Sequence, residues 1–422
     1  MVDRVVVPAL AEVHTRRGFS LAQMFAALKH RNYRLWFAGQ LTSLVGTWMQ
    51  NVAQPWLVYQ LTGSPLYLGI VSFAPAIPSL ALTLWAGVIV DRMPKRNLLV
   101  TTQTVLMLSA FTLAADCFLG WIQPWHVVIL ALVNGTAQAL DAPTRQAIVV
   151  DMVGREELMN AIVLNSAMFN SARILGPSLA GIVLALVGPG WCFFLNGVSF
   201  LAVIAGLLMM QFPPFVPKQR TGSPIVQLRE GLSYIRHHET IRSLITLVAV
   251  ANLFAMGYSA LMPAFAQDVL HTGEFGLGMM LTAVGVGALA AALLLAALGN
   301  SERKGMLLTI GNLVFPMMVL CFAFSQWLPL SLLFLAGAGF GFMTQNATAN
   351  TLVQIIVPDE LRGRVMSVYM LVFQGFFPIG SLIAGSVAQR FGIPVGAIFG
   401  GSIALAFSLF QIWRVPQLRR LA

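Results

Sequence analysis

Apolar runs of about twenty residues recur along the chain, and short polar or charged segments separate them. A membrane-spanning α-helix needs about 20 consecutive apolar residues, so each run predicts one span. We count twelve such spans, at 35–60, 66–90, 97–119, 125–145, 160–187, 191–211, 242–266, 277–298, 306–325, 328–349, 364–388 and 392–413. The pattern therefore predicts an all-α polytopic membrane protein.

Composition agrees with the pattern and excludes several classes of function. Of the 422 residues, 58% are hydrophobic and 9% are charged, whereas soluble domains carry about 25% charged residues. The net charge of +10 comes from basic residues scattered between the apolar runs, which argues against a nucleic-acid-binding surface. The sequence has no phosphate-binding loop, metal-ligand cluster or catalytic triad. We therefore expect no enzyme, no catalytic residue, no metal and no cofactor.

The distribution of positive charge predicts the orientation. All of the 25 Lys and Arg residues except Arg173 and Arg390 fall in alternate inter-span segments, beginning with the N-terminal one. Cytoplasmic loops carry an excess of Lys and Arg. We therefore expect both termini in the cytoplasm. We also expect a multi-pass protein of the cytoplasmic membrane that is a monomer.

The longest inter-span segment divides the chain. It begins with three prolines between Phe212 and Lys218, and Ile225, Leu228, Leu232 and Ile235 then recur at helical spacing, which predicts an amphipathic surface helix. A similar pattern involves Leu21, Phe25 and Leu28. The predicted divisions are an N-terminal segment with an amphipathic helix at 1–34, a six-helix bundle at 35–211, a linker at 212–241, a second bundle at 242–413 and a tail at 414–422.

The two halves of the chain carry a faint internal repeat. Gly135 to Val153 matches Gly339 to Val357 at an offset of 204 residues, and a small-residue run beginning at Gly176 recurs with the same offset. Repeats of six spans with the same orientation imply two bundles related by an axis along the membrane normal, with a substrate site between them.

A charged turn joins the second and third predicted spans. Charge alone fits an ordinary positive loop, but the order of residue types resembles the major facilitator superfamily signature, Gly-x-x-x-Asp-Arg/Lys-x-Gly-Arg/Lys-Arg/Lys. Pro94 stands where that signature usually has Gly. In this superfamily the loop braces the cytoplasmic ends of the two halves, which implies a conformational-switch role for Gly87, Asp91, Arg92, Lys95 and Arg96.

The fifth predicted span narrows the resemblance. Its Ala172-x-x-x-Gly176-Pro177-x-x-Ala180-Gly181 is similar to a pattern of the superfamily's exporters. Together with further motifs between about Phe25 and Arg414, it makes the chain resemble the enterobactin-exporter-like branch, also called transmembrane secretion effectors. The resemblance implies a secondary active transporter that exports a small amphipathic, drug-like or siderophore-like compound by alternating access, with protons as a candidate coupling ion. Uptake by the same fold and a lipid flippase or membrane-embedded enzyme are the alternatives.

Arg173 is the charge that the pattern places deepest within a span. A charged side chain at the bilayer centre costs at least about 2.5 kcal/mol unless it faces protein or water. Its helical face also carries Ser166, Asn170 and Pro177, so that face should point inward. Arg173 is either a structural residue that holds span ends together through hydrogen bonds or a functional cation, and the sequence favours neither role. Asp141 and Asp116 are its candidate partners.

Asp116 and Asp141 are also the candidate coupling carboxylates, because burial and a nearby cation can move the pKa of a carboxyl group toward neutrality. For Asp116 the alternative is a side chain that reaches the outer membrane surface.

Polar residues form one stripe along the first predicted span. They line the substrate cavity or connect helices through hydrogen bonds, and counterparts in other spans extend the candidate cavity. The full set is Gln40, Ser43, Thr47, Gln50, Asn51, Gln54, Asn134, Gln138, Asn170, Asn252, Tyr258, Gln345, Asn346 and Gln374.

Overall fold

The computed structural model describes residues 25–154, 156–212, 224–299 and 303–420. This part of the chain is almost wholly helical and contains no β-strand, which confirms the predicted all-α class. We number the helices that correspond to the predicted spans. They are α1 Arg31–Thr62, α2 Pro65–Phe73 with Ala76–Arg92, α3 Lys95–Leu119, α4 Pro124–Val153, α5 Leu158–Val187, α6 Pro189–Met209, α7 Glu239–Leu253 continued by turns to Val269, α8 Gly273–Leu298, α9 Lys304–Phe324, α10 Leu328–Ile356, α11 Asp359–Phe391 and α12 Ile393–Arg414.

Eleven helices of the described residues are long and apolar enough to cross a membrane. The helix α1 is not among them, although its 32 residues exceed the length of a span. Its polar stripe lowers its hydropathy, and such a helix is stable in a bilayer only when protein or a water-filled cavity covers the stripe. The count of twelve spans therefore stays a prediction.

The helix α2 is broken where the sequence predicts one continuous span. Its first segment ends at Phe73 and its second begins at Ala76. Pro75 and Pro78 lack the backbone N–H groups that a continuous helix would need here. The break lies against α4, where a Cβ on Gly135 would come within 2.1 Å of the Pro75 carbonyl oxygen. Gly135 therefore lets α4 approach the exposed backbone of the break.

The helix α7 is also interrupted, at the residues predicted to complete the seventh span. Its α-helical part ends at Leu253, a 3-10 segment follows over Ala255–Leu261, and a π-helical turn covers Phe265–Val269. Broken helices within a membrane are tolerated where protein surrounds the freed backbone groups. Glycines of α11 and α12 provide that environment, because a Cβ on Gly380 or Gly400 would lie 2.1 Å from a carbonyl oxygen of the break.

Helices pack mainly within two sequential groups. In the first group α6 contacts α1 and α3, α4 contacts α3 and the second segment of α2, and α5 contacts α1. In the second group α10 contacts α8 and α9, while α11 and α12 pack against the broken part of α7. The division into two bundles at 35–211 and 242–413 stays a prediction.

Two helix pairs make most of the contact between the groups, α5 with α8 and the first segment of α2 with α11. Both contacts depend on glycine. A Cβ on Gly181 of α5 would lie 3.0 Å from the Cα of Gly278, and a Cβ on Gly69 of α2 would lie 2.8 Å from the carbonyl oxygen of Ser381. Following the predicted orientation, we call the end near these contacts, with its turns at Gly63, Gly188 and Gly392, the outer end, and the opposite end the inner end.

The linker contains the predicted amphipathic helix, at Pro224–His237. It packs against the inner end of α11, where a Cβ on Gly231 would lie 2.5 Å from the Arg364 carbonyl oxygen and Glu230 pairs with Arg364 at 2.8 Å. Ile235 is buried, whereas Leu232 is 58% exposed. The predicted N-terminal amphipathic helix lies mostly outside the described residues, and its described part is a single 3-10 turn, Ala26–Lys29.

Candidate functional site

The helix α5 presents a different surface to each of its neighbours. Toward α1 it presents the buried Ala172 and Gly176, and a Cβ on Gly176 would lie 2.3 Å from the Trp48 Cβ. Toward α8 it presents Ser178 and Gly181, and the Ser178 hydroxyl is 2.8 Å from the Thr282 hydroxyl. Its lipid-facing side carries three exposed apolar residues, Leu175, Leu179 and Ile182.

The fourth face of α5 lies between the α1 and α8 surfaces and points toward the interface of the two groups. At a helical spacing it contains Met159, Ile162, Val163, Ser166, Asn170, Arg173 and Pro177. Solvent exposure decreases along this face from the start of α5. Met159 is 70% exposed and Ile162 is 48% exposed, Asn170 and Arg173 are partly exposed, and Pro177 is buried. The face therefore lines a cleft that is open at the inner end and closed beyond Arg173.

Arg173 lies fifteen residues after the start of α5, which is about 22 Å along the helix at 1.5 Å per residue. Its guanidinium interacts electrostatically with Tyr258, which belongs to the broken part of α7 in the other group. Neither carboxylate named as a candidate partner is bound to it. Within the described parts of the chain, Asp141 pairs with Arg145 and Asp116 pairs with His126. The hypothesis that Asp141 or Asp116 is the partner of Arg173 is therefore wrong for the described residues.

Asp141 connects α3 with α4. Its carboxylate is 1% exposed, lies 2.7 Å from the Arg145 guanidinium one helical turn away, and accepts hydrogen bonds from the Thr102 hydroxyl at 2.9 Å and the Gln103 amide at 2.8 Å. Asp116 is 3.0 Å from the His126 ring near the outer end. Both candidate coupling carboxylates thus have partners within the first group of helices.

The polar stripe of α1 divides into two parts. Gln40, Ser43 and Gln50 are buried, and Gln50 accepts a hydrogen bond of 2.6 Å from the Asn196 amide of α6. Glycines on this side let α6 approach, since a Cβ on Gly46 would lie 2.7 Å from the Asn196 Oδ1. Thr47 and Gln54 are partly exposed and Asn51 is exposed. The first part connects helices, and the second is available to a cavity.

The other candidate cavity residues divide in the same way. Asn252 and Asn346 donate their amides to carbonyl oxygens one turn back on their own helices, and the Gln345 amide donates to the Leu247 carbonyl at 3.4 Å. Asn134 and Tyr258 are buried. Gln138 and Gln374 are exposed, and Asn170 donates to the Ser166 carbonyl at 2.8 Å.

The charged turn between α2 and α3 is bound to its own group of helices. The Lys95 ammonium lies 2.6 Å from Asp151 of α4 and donates to the Ala147 carbonyl at 3.3 Å. The Arg96 guanidinium donates to the Met210 carbonyl at 3.4 Å, beyond the end of α6. Gly87 and Asp91 lie in the last turns of α2, and Arg92, which ends that helix, is exposed.

Polar contacts between the groups at the outer end were not predicted. The Tyr59 hydroxyl of α1 donates to Asp268 of α7, and the Gln60 amide donates to Glu274 of α8 at 3.3 Å. The Ser64 hydroxyl donates to Gln389 of α11 at 2.6 Å. The sequence shows these residues near predicted span ends, but their pairing depends on which helices the two groups bring together.

Known proteins resemble the chain over nearly its whole length. The multidrug efflux pump Tap of Mycolicibacterium fortuitum is 28% identical over 97% of this chain and 98% of its own. The staphyloferrin A transporter of Staphylococcus aureus is 24% identical over 85% of this chain and 90% of its own. The crystal structure of the peptide transporter POT has the same fold, with a TM-score of 0.73, 13% identity, and coverage of 95% of this chain and 99% of its own.

A family model, described as transmembrane secretion effector, matches residues 22–421. The match includes every helix described above. The chain belongs to the transmembrane secretion effector family of the major facilitator superfamily.

Proposed function

We propose that the protein exports small amphipathic compounds from the cytoplasm by alternating access. The observation that supports this most directly is the inward-pointing face of α5, which is open at the inner end and closed beyond Arg173. The two groups of helices meet through glycine contacts near the outer end. An alternating-access transporter that accepts its substrate from one side of the membrane must be open at that side and closed at the other.

Three features support export over uptake. The positive charges favour a cytoplasmic location for the inner end, so the open cleft faces the cytoplasm. The exporter-type motif of α5 forms the contacts with α1 and α8. Relatives in Mycolicibacterium fortuitum and Streptococcus pyogenes carry the names multidrug efflux pump and macrolide efflux protein. Uptake, lipid flipping and membrane-embedded catalysis are the competing functions.

Within this proposal the helices at 35–211 and 242–413 move as two bundles. The residues Gly87, Asp91, Arg92, Lys95 and Arg96 act as the switch at the inner end. Protons are the proposed coupling ion, and Asp116 with His126 and Asp141 with Arg145 are the candidate carriers.

Transport into everted membrane vesicles tests the direction and the coupling together. Vesicles with and without the protein receive a fluorescent amphiphile, and accumulation is measured before and after a pH gradient, acid inside, is imposed. Export predicts accumulation only in vesicles that contain the protein, and proton antiport predicts that dissipating the gradient abolishes it.

Accumulation in right-side-out vesicles alone would show uptake and contradict the proposal. Accumulation in everted vesicles without a pH gradient would contradict proton coupling and would still agree with export.

A further inference from the structure

The closed end of the cleft holds a cation without a carboxylate partner among the described residues. Arg173 stands last on the exposed part of the α5 face, immediately before the buried Pro177. The acidic groups that could approach it are bound elsewhere: Asp141 to Arg145, Asp116 to His126, and Asp268 to Tyr59. A guanidinium at this depth is costly unless a counter-ion or water satisfies it.

The surroundings of Arg173 combine one charge with apolar and aromatic surface. Tyr258, which interacts electrostatically with Arg173, is buried, and its ring centroid is 6.3 Å from that of Phe315 and 6.2 Å from that of Phe322, which are buried as well. The apolar surface that a ligand can reach comes from the exposed residues of the α5 face, Met159, Ile162 and Val163. Trp48 and Phe169 form an edge-to-face pair with ring centroids 5.6 Å apart on the neighbouring surface between α1 and α5. Such a site fits a molecule with a large apolar body and one anionic group, because Arg can bind a carboxylate through two parallel hydrogen bonds.

We propose that Arg173 binds the ionised carboxylate of the exported compound, so that the preferred substrates are amphipathic organic acids. The inference rests on the proposed export function and adds the charge class of its substrate. The anion supplies the counter-ion that the described residues do not supply. A neutral compound of the same shape leaves the guanidinium unpaired and should bind less tightly.

Binding to the purified full-length protein in nanodiscs of zwitterionic lipid tests this. The probes are 1-pyrenebutyrate and its neutral amide, which share one apolar body and differ in charge at pH 7.5. Fluorescence titration gives both affinities after subtraction of binding to nanodiscs without protein. We expect the wild-type protein to bind the carboxylate at least about tenfold more tightly, a difference that corresponds to about 1.4 kcal/mol.

Arg173→Gln should reduce this preference to within about twofold and leave the affinity for the amide nearly unchanged, while Arg173→Lys should keep part of the preference because a point charge replaces the planar fork. The matched control is Arg390→Gln, which removes an exposed arginine at the outer end of α11. It should keep the full preference.

Equal affinities of the wild-type protein for acid and amide would overturn the proposal, as would an equal loss of both in Arg173→Gln. If that variant does not fold, the wild-type ratio decides alone, since a tenfold ratio supports the proposal and a ratio near one rejects it. Export of a neutral amphiphile into everted vesicles without any acid preference would refute the substrate class and leave the export function intact.

Discussion

At the scale of single residues, two charges within the predicted spans have different surroundings. Asp141 lies among donors on α3 and α4, whereas Arg173 lies on the cleft-lining face of α5 and interacts electrostatically with Tyr258 of the other group. A buried charge held by an ion pair and hydrogen bonds from neighbouring helices contributes to the packing of those helices, because its partners lose their contacts when the charge is removed. A buried charge beside a cleft can instead be satisfied by a ligand.

Asp141→Ala should destabilise the protein. The change leaves a hydroxyl, an amide and a guanidinium without their acceptor, and the guanidinium can still reach water, so we expect a loss of about 2 to 4 kcal/mol. Thermal unfolding of the purified protein in detergent measures it. Asp151→Ala, which breaks the exposed pair with Lys95, is the matched control and should cost at most about 1 kcal/mol. Equal losses in the two variants would contradict a framework role for Asp141.

Tyr59→Phe should weaken the closed outer end. It removes the hydroxyl that donates to Asp268, and because Asp268 is exposed, water replaces part of the interaction, so we expect a shift of about 1 kcal/mol. Spin labels on Gln123 and Gln326, at outer turns of the two groups, report the separation in a protein without its native cysteines. The longer-distance population should increase several-fold.

Tyr67→Phe is the control for this measurement, since it removes a partly exposed hydroxyl on α2. An unchanged distance distribution in Tyr59→Phe would show that the hydroxyl does not hold the outer end closed.

At the scale of helices, glycine decides where the two groups can touch. Small residues let membrane helices approach until their backbones are in contact, and the crossing of α5 with α8 at Gly181 and Gly278 is such a contact. The breaks in α2 and α7 also face glycines, on α4, α11 and α12. The glycine contact between α5 and α8 therefore gives the two groups a defined surface at which they can separate and meet again.

Gly181→Val should hold the outer end open. A Cβ at this position would already lie 3.0 Å from the Gly278 Cα, so the two methyl groups of valine require α5 and α8 to separate. With the same pair of spin labels we expect a shift to longer distances, and transport should fall with it. Ala185→Val, at an exposed position one turn away, should change neither. A wild-type distribution in Gly181→Val would mean that the contact is not part of the closed state.

Asp91→Asn should slow transport without weakening binding. Asp91 lies in the last turns of α2 at the inner end, far from Arg173, so its charge can affect the change of state but not the contact with substrate. We expect transport to fall about tenfold, equivalent to about 1.4 kcal/mol in the barrier, while probe affinity stays within a few-fold. Asp359→Asn, an exposed acid at the inner end of α11, is the control. A loss of affinity equal to the loss of transport would disprove the switch role.

At the scale of the whole molecule, the protein is a multi-pass transporter of the cytoplasmic membrane, as its family and relatives show. Its two groups of helices touch mainly through α5 with α8 and α2 with α11. Smaller contacts between the groups, such as those of α1 with α7 and α8, also lie at the outer end. Few elements therefore have to change partners when the cleft opens to the other side.

Cysteine labelling tests the predicted orientation of the whole chain. A cysteine at Ser233, which is exposed on the linker helix, should resist an impermeant maleimide in intact cells and react after the cells are opened. A cysteine at Gln326, in an outer turn, should react in intact cells. Both variants need a background without Cys117, Cys192 and Cys321. Reaction at Ser233 in intact cells would invert the orientation.

The sequence by itself determined the class of fold, the approximate positions of the helices and the family. Apolar run length reports the thickness of the membrane core, and motif residues such as Gly87, Asp91, Gly176 and Pro177 identify the family in the linear chain. The inward direction of Arg173 also followed from the sequence, because residues three and four apart share one helical face. The fold class, the family and the direction of Arg173 all depend on the spacing of residues close together in the chain, which can be read from the sequence.

Only the tertiary structure decided the partners. Asp141 binds Arg145, Thr102 and Gln103 rather than Arg173, Tyr59 meets Asp268, and the stripe of α1 divides between α6 and the cleft. The breaks in α2 and α7 likewise exist where glycines of other helices accommodate the freed backbone. Each of these outcomes depends on how distant helices are rotated and shifted against one another, and the hydrophobic pattern does not fix that packing because a membrane helix is apolar on most of its faces.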